Sequence, residues 1–146
     1  MGLSRFVEAQ NATGTYAAAL AELRRGRKTT HWMWFIFPQI SGLGRSEMAQ
    51  RYAVADLAEA HAYLADPVLG QRLRQCCEVL AELTVSDAQS VFGGIDAVKL
   101  RSSMTLFALA AEDDDLSRSL CMRVLEKYFD GAQDPATLQL LRRDHH

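Results

Sequence analysis

The sequence predicts an all-α fold: one multihelical domain over residues 1–146, with two buried central helices at about 31–37 and 95–111. Three observations predict it. Apolar residues recur at helical spacing along most of the chain, helix start and stop signals separate these segments, and no alternating run bounded by hairpin turns calls for a sheet. With 146 residues, 49% of them hydrophobic, the chain can bury a real core without staples.

Residues 3–11 form a first short helix with Phe6 and Val7 inward. Thr13 or Thr15 caps a second, whose Tyr16, Leu20 and Leu23 share a face and which ends at Gly26. His31-Trp32-Met33-Trp34-Phe35-Ile36-Phe37 holds both tryptophans and two of the six phenylalanines, so it must be buried. An isolated strand there would leave its edges unpaired, and Pro38 stops a helix after Phe37. This segment is therefore read as the first central helix.

Ser46 caps a short helix to Tyr52, and Asp56 with Glu59 forms a capping-box variant ahead of Ala60, Tyr63 and Leu64. Asp66-Pro67 opens a long amphipathic helix to about Thr84, with Leu69, Leu73, Cys76, Cys77, Leu80 and Leu83 inward. Ser86 and Gln89 box a short helix that Gly93-Gly94 ends. From Ile95 to Ala111 the wheel carries Ile95, Val98, Leu100, Met104, Leu106, Phe107 and Leu109 with little polar surface, the pattern of a buried helix. Residues Glu112 to Asp115 make an acidic turn before a helix over 116–129, and Asp134-Pro135 starts the last one, through Leu141.

A net charge of −2 supplies no broad positive field for nucleic acid or an anionic membrane. Arg24, Arg25, Arg27 and Lys28 read as the solvated end of a helix, whose dipole they suit. Cys76, Cys77 and Cys121 are odd in number and lack a CxxC pair, so neither a disulfide framework nor a zinc site is expected, and the chain reads as reduced and cytoplasmic. No run approaches the ~20 apolar residues of a membrane span. No cofactor or metal is implied, the oligomeric state is open, and His145-His146 on the polar tail receives no role.

The stretches RFVEAQ, AL.EL..G.K, HWMWFIFPQI.GLG.S, RYA, EA.AYL.DP.LG.RL, FGGID.VKL.SSMTLF and YF.G..D..T together resemble a widespread, mostly bacterial family of uncharacterised proteins, over residues 5–138. The resemblance implies an all-helical fold and no established function. Members sometimes carry the label calpastatin, which fits a disordered inhibitor and not a chain this apolar and well capped. In the order of its segments the chain is also faintly similar to the NADAR group of N-glycosidase-like proteins. In that group an active-site lysine engages the ribose carbon. Lys99 is the matching candidate, although the group's aromatic and glutamate signatures are absent here.

Chemistry is sought where polar groups interrupt core segments. Asp96, Lys99 and Ser103 share one stripe of the second central helix, and desolvation would turn a buried lysine toward a base or nucleophile. His31 offers an acid or base, and Trp32 and Trp34 offer stacking faces. Gly42, Gly44, Arg45 and Ser46 could cradle an anion through backbone N–H groups and a guanidinium. Two readings stay open. One is a pocket for an anionic, nucleotide-like or ADP-ribose-like small molecule, extending to hydrolase or N-glycosidase-like chemistry at Lys99; the other is a non-enzymatic helical interaction module.

Overall fold

The computed structural model describes residues 2–143. Its elements are α1 (Ser4–Asn11), α2 (Thr15–Arg24), α3 (Met33–Ile36), α4 (Glu47–Arg51), α5 (Leu57–Ala65), α6 (Leu69–Glu82), α7 (Ala88–Ala110), α8 (Asp115–Phe129) and α9 (Pro135–Arg143), with a 3-10 turn at Ala12–Gly14. Extended pairing among the described residues is limited to one bridge, Ile40 with Val54. The all-α expectation holds. α7 is the central rod, packed on α5, α8 and α9, while α6 joins α8, α5 and α2. One continuous core results, with Leu100, Met104, Leu106 and Phe107 of α7 fully buried against its neighbours.

The capping signals explain most boundaries. Ser46, Asp56 and Asp114 each accept the backbone N–H three residues on, which satisfies one of the free donors of a helix start. Asp66 accepts from Val68 and Leu69. At the other end of α6, Lys127 donates to the carbonyls of Leu80, Ala81 and Leu83, and Tyr128 joins it on Leu80. α2 ends in a Schellman motif: Gly26 N–H reaches Leu23 O and Arg27 N–H reaches Glu22 O, with Gly26 at φ +73°.

Several expectations need correction. The start of α2 is not capped by threonine, because Gly14 occupies that position and Thr13 sits in the left-handed region at φ +47°. Asp87, not Ser86, caps α7, taking the N–H of Gln89 and the hydroxyl of Ser90. The break at Gly93 is a kink with φ +81° inside α7, so helix resumes at once. Just beyond it α7 is not buried on all sides. Ile95 is 78% and Val98 60% exposed, because before Leu100 only one face of α7, that of Val91, Phe92 and Ala97, is buried.

The first central helix is also shorter than expected. Only Met33–Ile36 is helical, Trp32 is its N-terminal flank at φ −146°, and His31 lies outside it, exposed. A single turn has too few internal hydrogen bonds to persist alone, and its neighbours hold it. Gln10 of α1, itself buried, donates to Phe35 O at 2.7 Å and to the Tyr63 hydroxyl at 3.1 Å. Trp32, Phe37 and Phe92 form a triangle of rings with centroids 6.2–6.4 Å apart. Phe35 meets Tyr52 edge-on at 5.3 Å.

The segment leading into this turn is fixed by Glu22, which is only 3% exposed. Its carboxylate accepts from Thr29 N (2.6 Å), Thr30 N (2.9 Å), the Thr30 hydroxyl (2.5 Å) and Trp32 Nε1 (3.0 Å). Burial by itself would raise the carboxyl pKa, but these donors overcome it and hold Glu22 down at about 2. A folded-state pKa below the ordinary 4.5 stabilises the fold fully above that pH, and the contribution drains away as pH falls toward about 2. Glu22→Gln removes the charge and half the acceptors, so it is expected to cost on the order of 3 kcal/mol at pH 7. Urea denaturation of both proteins from pH 7 to 2.5 should show that gap closing below pH 4.5; a gap independent of pH would mean that the charge contributes nothing.

Candidate functional site

The Schellman end of α2 turns the chain so that Lys28 N–H donates to Val91 O at 2.7 Å, laying residues 28–34 across the start of α7. The kink at Gly93 then directs Asp96 and Lys99 at this segment. Asp96 faces two ammonium groups: Lys28 Nζ stands 3.0 Å from Oδ2 and Lys99 Nζ 3.5 Å from Oδ1. Each lysine also covers an indole, Lys28 over Trp32 at 5.0 Å from the ring centroid and Lys99 over Trp34 at 5.2 Å. Both are cation–π distances. The result is two cations and one anion between two tryptophans.

The two lysines are held differently. Lys28, whose side chain is 7% exposed, also donates to Thr30 O and is enclosed by structural contacts. Lys99 is 23% exposed and makes the looser ion pair. Asp96 cannot neutralise both, so one positive charge is left at the more open side. Trp32 is buried, whereas Trp34 is half-buried.

Of the residues the sequence singles out, Asp96, Lys99, Trp32 and Trp34 meet here. The others do not join them. His31 is exposed and has no hydrogen bond or ion pair with a described residue. Ser103 is fully buried and its hydroxyl has no hydrogen-bond partner among the described residues, Lys99 included. Its neighbour Ser102 bonds Val98 O and Asp134, in the polar knot that starts α9: Asp134 also accepts from Thr137 N and Oγ1, and its N–H donates to Thr105.

The glycine loop has a packing explanation. A Cβ on Gly44 would stand 2.4 Å from Ala49 Cβ, and one on Gly42 would press on Leu140 at 3.2 Å. Ser46 is occupied as the cap of the five-residue α4, and the Arg45 carbonyl takes Gln50 Nε2 while its side chain is exposed. No hydrogen bond, ion pair or ring contact among the described residues links this loop to the Lys28–Asp96–Lys99 cluster.

Sequence reasoning gave no role to Glu22 or Lys28, although both stand in the stretch AL.EL..G.K. Lys28 read as one of four solvated cations, yet Arg24, Arg25 and Arg27 are exposed while Lys28 folds inward. The available signal was the glycine stop at Gly26, which returns the chain over the last turn of α2 and so brings Thr29 and Thr30 back to Glu22. Histidine, cysteine, aspartate and glutamate form no metal-binding group among the described residues, and no described helix is long and apolar enough to cross a membrane. The three cysteines are buried free thiols.

Comparison with known proteins gives a consistent result. The chain matches the structure titled "Crystal structure of the conserved hypothetical protein Rv1873 from Mycobacterium tuberculosis at 1.38 A" with a TM-score of 0.89 and 43% identity, over 96% of each chain. No curated protein gives a significant match. The profile of the family described as "Protein of unknown function (DUF1810)" matches residues 1–141, and the chain belongs to that family.

Proposed function

We propose that the Lys28–Asp96–Lys99 cluster, with Trp34 beside it, binds an anionic small molecule carrying a flat ring, of the nucleotide or ADP-ribose type. One observation carries the reading: a single carboxylate serves two ammonium groups. The unneutralised charge falls at Lys99, next to a half-buried indole. A phosphate would complete the charge balance at Lys99, and a base could stack on the exposed part of Trp34. Lys28, Trp32 and Glu22 form the rigid support, as a preorganised site requires. Covalent chemistry at the Lys99 amine is the enzymatic extension of the same site.

The proposal separates the two lysines. Lys99→Met leaves Asp96 paired with Lys28, so stability should change by less than about 1 kcal/mol while the ligand response disappears. Lys28→Met removes an enclosed cation and should cost roughly 2 kcal/mol, below the usual cost of stranding a buried charge because Lys99 still faces Asp96. Both tryptophans of the chain flank this cluster, so intrinsic fluorescence reads it directly. Titration with ADP-ribose, AMP and ribose 5-phosphate should quench the wild-type signal and leave Lys99→Met unchanged, with Arg45→Ala responding like wild type. Flat titrations with all three, or full quenching in Lys99→Met, would refute the site.

A further inference from the structure

A cleft lies elsewhere, between α5, α7 and α9, with a volume of about 510 Å³. Leu109, on its wall, is ten residues past Lys99, about 15 Å along the helix. The volume is in the range of small-molecule sites. Its apolar walls are Leu57 from α5, Leu109 from α7, and Leu138 and Leu141 from α9. Leu109 is 37% exposed although Phe107, Ala108 and Ala110 beside it are buried.

Three charged residues border these walls: Glu112, Arg118 and Arg142. Arg118 is committed, donating to the carbonyls of Ala111 and Glu112 and to Asp115 Oδ1 at 2.6 Å. The carboxylate of Glu112 and the guanidinium of Arg142 have no hydrogen bond or ion pair with any described residue, and they do not pair with each other. An anion and a cation that no described residue engages therefore share the mouth of an apolar cleft. A simple anion would be repelled by Glu112 and a simple cation by Arg142. A molecule with an ammonium, a carboxylate and an apolar body meets all three features. We infer that this cleft binds an apolar α-amino acid.

The test uses calorimetry and thermal shift on the full chain with L-phenylalanine and L-leucine. Three controls each lack one feature: glycine has no apolar body, 3-phenylpropionate no ammonium, phenethylamine no carboxylate. Phenylalanine and leucine should bind saturably and raise Tm, as a ligand of the folded form must, with each control at least tenfold weaker. Glu112→Gln and Arg142→Gln alter exposed side chains, so they should fold normally and each weaken phenylalanine about tenfold. Leu138→Trp should fill the cleft and abolish binding, whereas Lys99→Met should leave it intact, which keeps this site separate from the one proposed above. No response to either amino acid, or equal binding of phenylalanine, 3-phenylpropionate and phenethylamine, would overturn the inference. So would a dimer in sedimentation velocity that Leu138→Trp dissolves, because a second copy would then cover the cleft.

Discussion

A one-turn helix of Met33–Ile36, flanked by Trp32 and Phe37, is buried except at Trp34, yet it cannot hold its own backbone. Each aromatic side chain contributes on the order of 2–3 kcal/mol by leaving water, but the polar groups carried in with it need partners. Gln10 supplies one to Phe35 O, and Glu22 supplies one to the Trp32 indole N–H. The rest of the fold is arranged so that these two buried polar side chains arrive at the turn. α1 brings Gln10, and the Schellman end of α2 brings Glu22 over the returning chain.

The same logic extends outward in layers. Arg72 of α6 donates to Gln10 Oε1 at 3.2 Å and lies over the Tyr16 ring at 4.7 Å, which orients Gln10 and links α1, α2 and α6. Arg5 reaches the carbonyls of Arg51 and Ala53 and the carboxylate of Glu59, fixing α1 to the junction of α4 and α5. Asp134 ties α9 to α7 through Ser102 and Thr105. Networks of this kind rigidify a fold only when their members are satisfied. Ser103 is the exception, a buried hydroxyl without a partner on the most enclosed stretch of α7.

The stretches that carry the family resemblance contain most of these connectors. RFVEAQ supplies Arg5, Phe6 and Gln10; EA.AYL.DP supplies Glu59, Tyr63 and Asp66; D..T supplies Asp134 and Thr137. Each has a structural contact that accounts for it. Lys99 in VKL is different, since Asp96 already has Lys28. A cation beyond what charge balance needs is the feature that separates the candidate site from the scaffold around it.

The local chemistry of the chain was enough to determine the helical fold and most helix ends. Capping aspartates and serines, Gly26 and Asp134-Pro135 act within a turn of the boundary they set, so they are readable without the rest of the molecule. The grouping of Asp96, Lys99, Trp32 and Trp34 was legible in part, because polar and aromatic side chains in core segments are conspicuous. What only the tertiary structure decided are the pairings across distance. Whether Ile95 and Val98 are covered depends on how many faces of α7 its neighbours enclose, and helical spacing on α7 cannot report that. Whether Lys28 is solvated or enclosed depends on the path after Gly26 and on the kink at Gly93, two backbone turns whose combined direction is set by packing. Gly42 and Gly44 read equally well as an anion cradle or a tight contact, and the positions of Leu140 and Ala49 in space favour the contact.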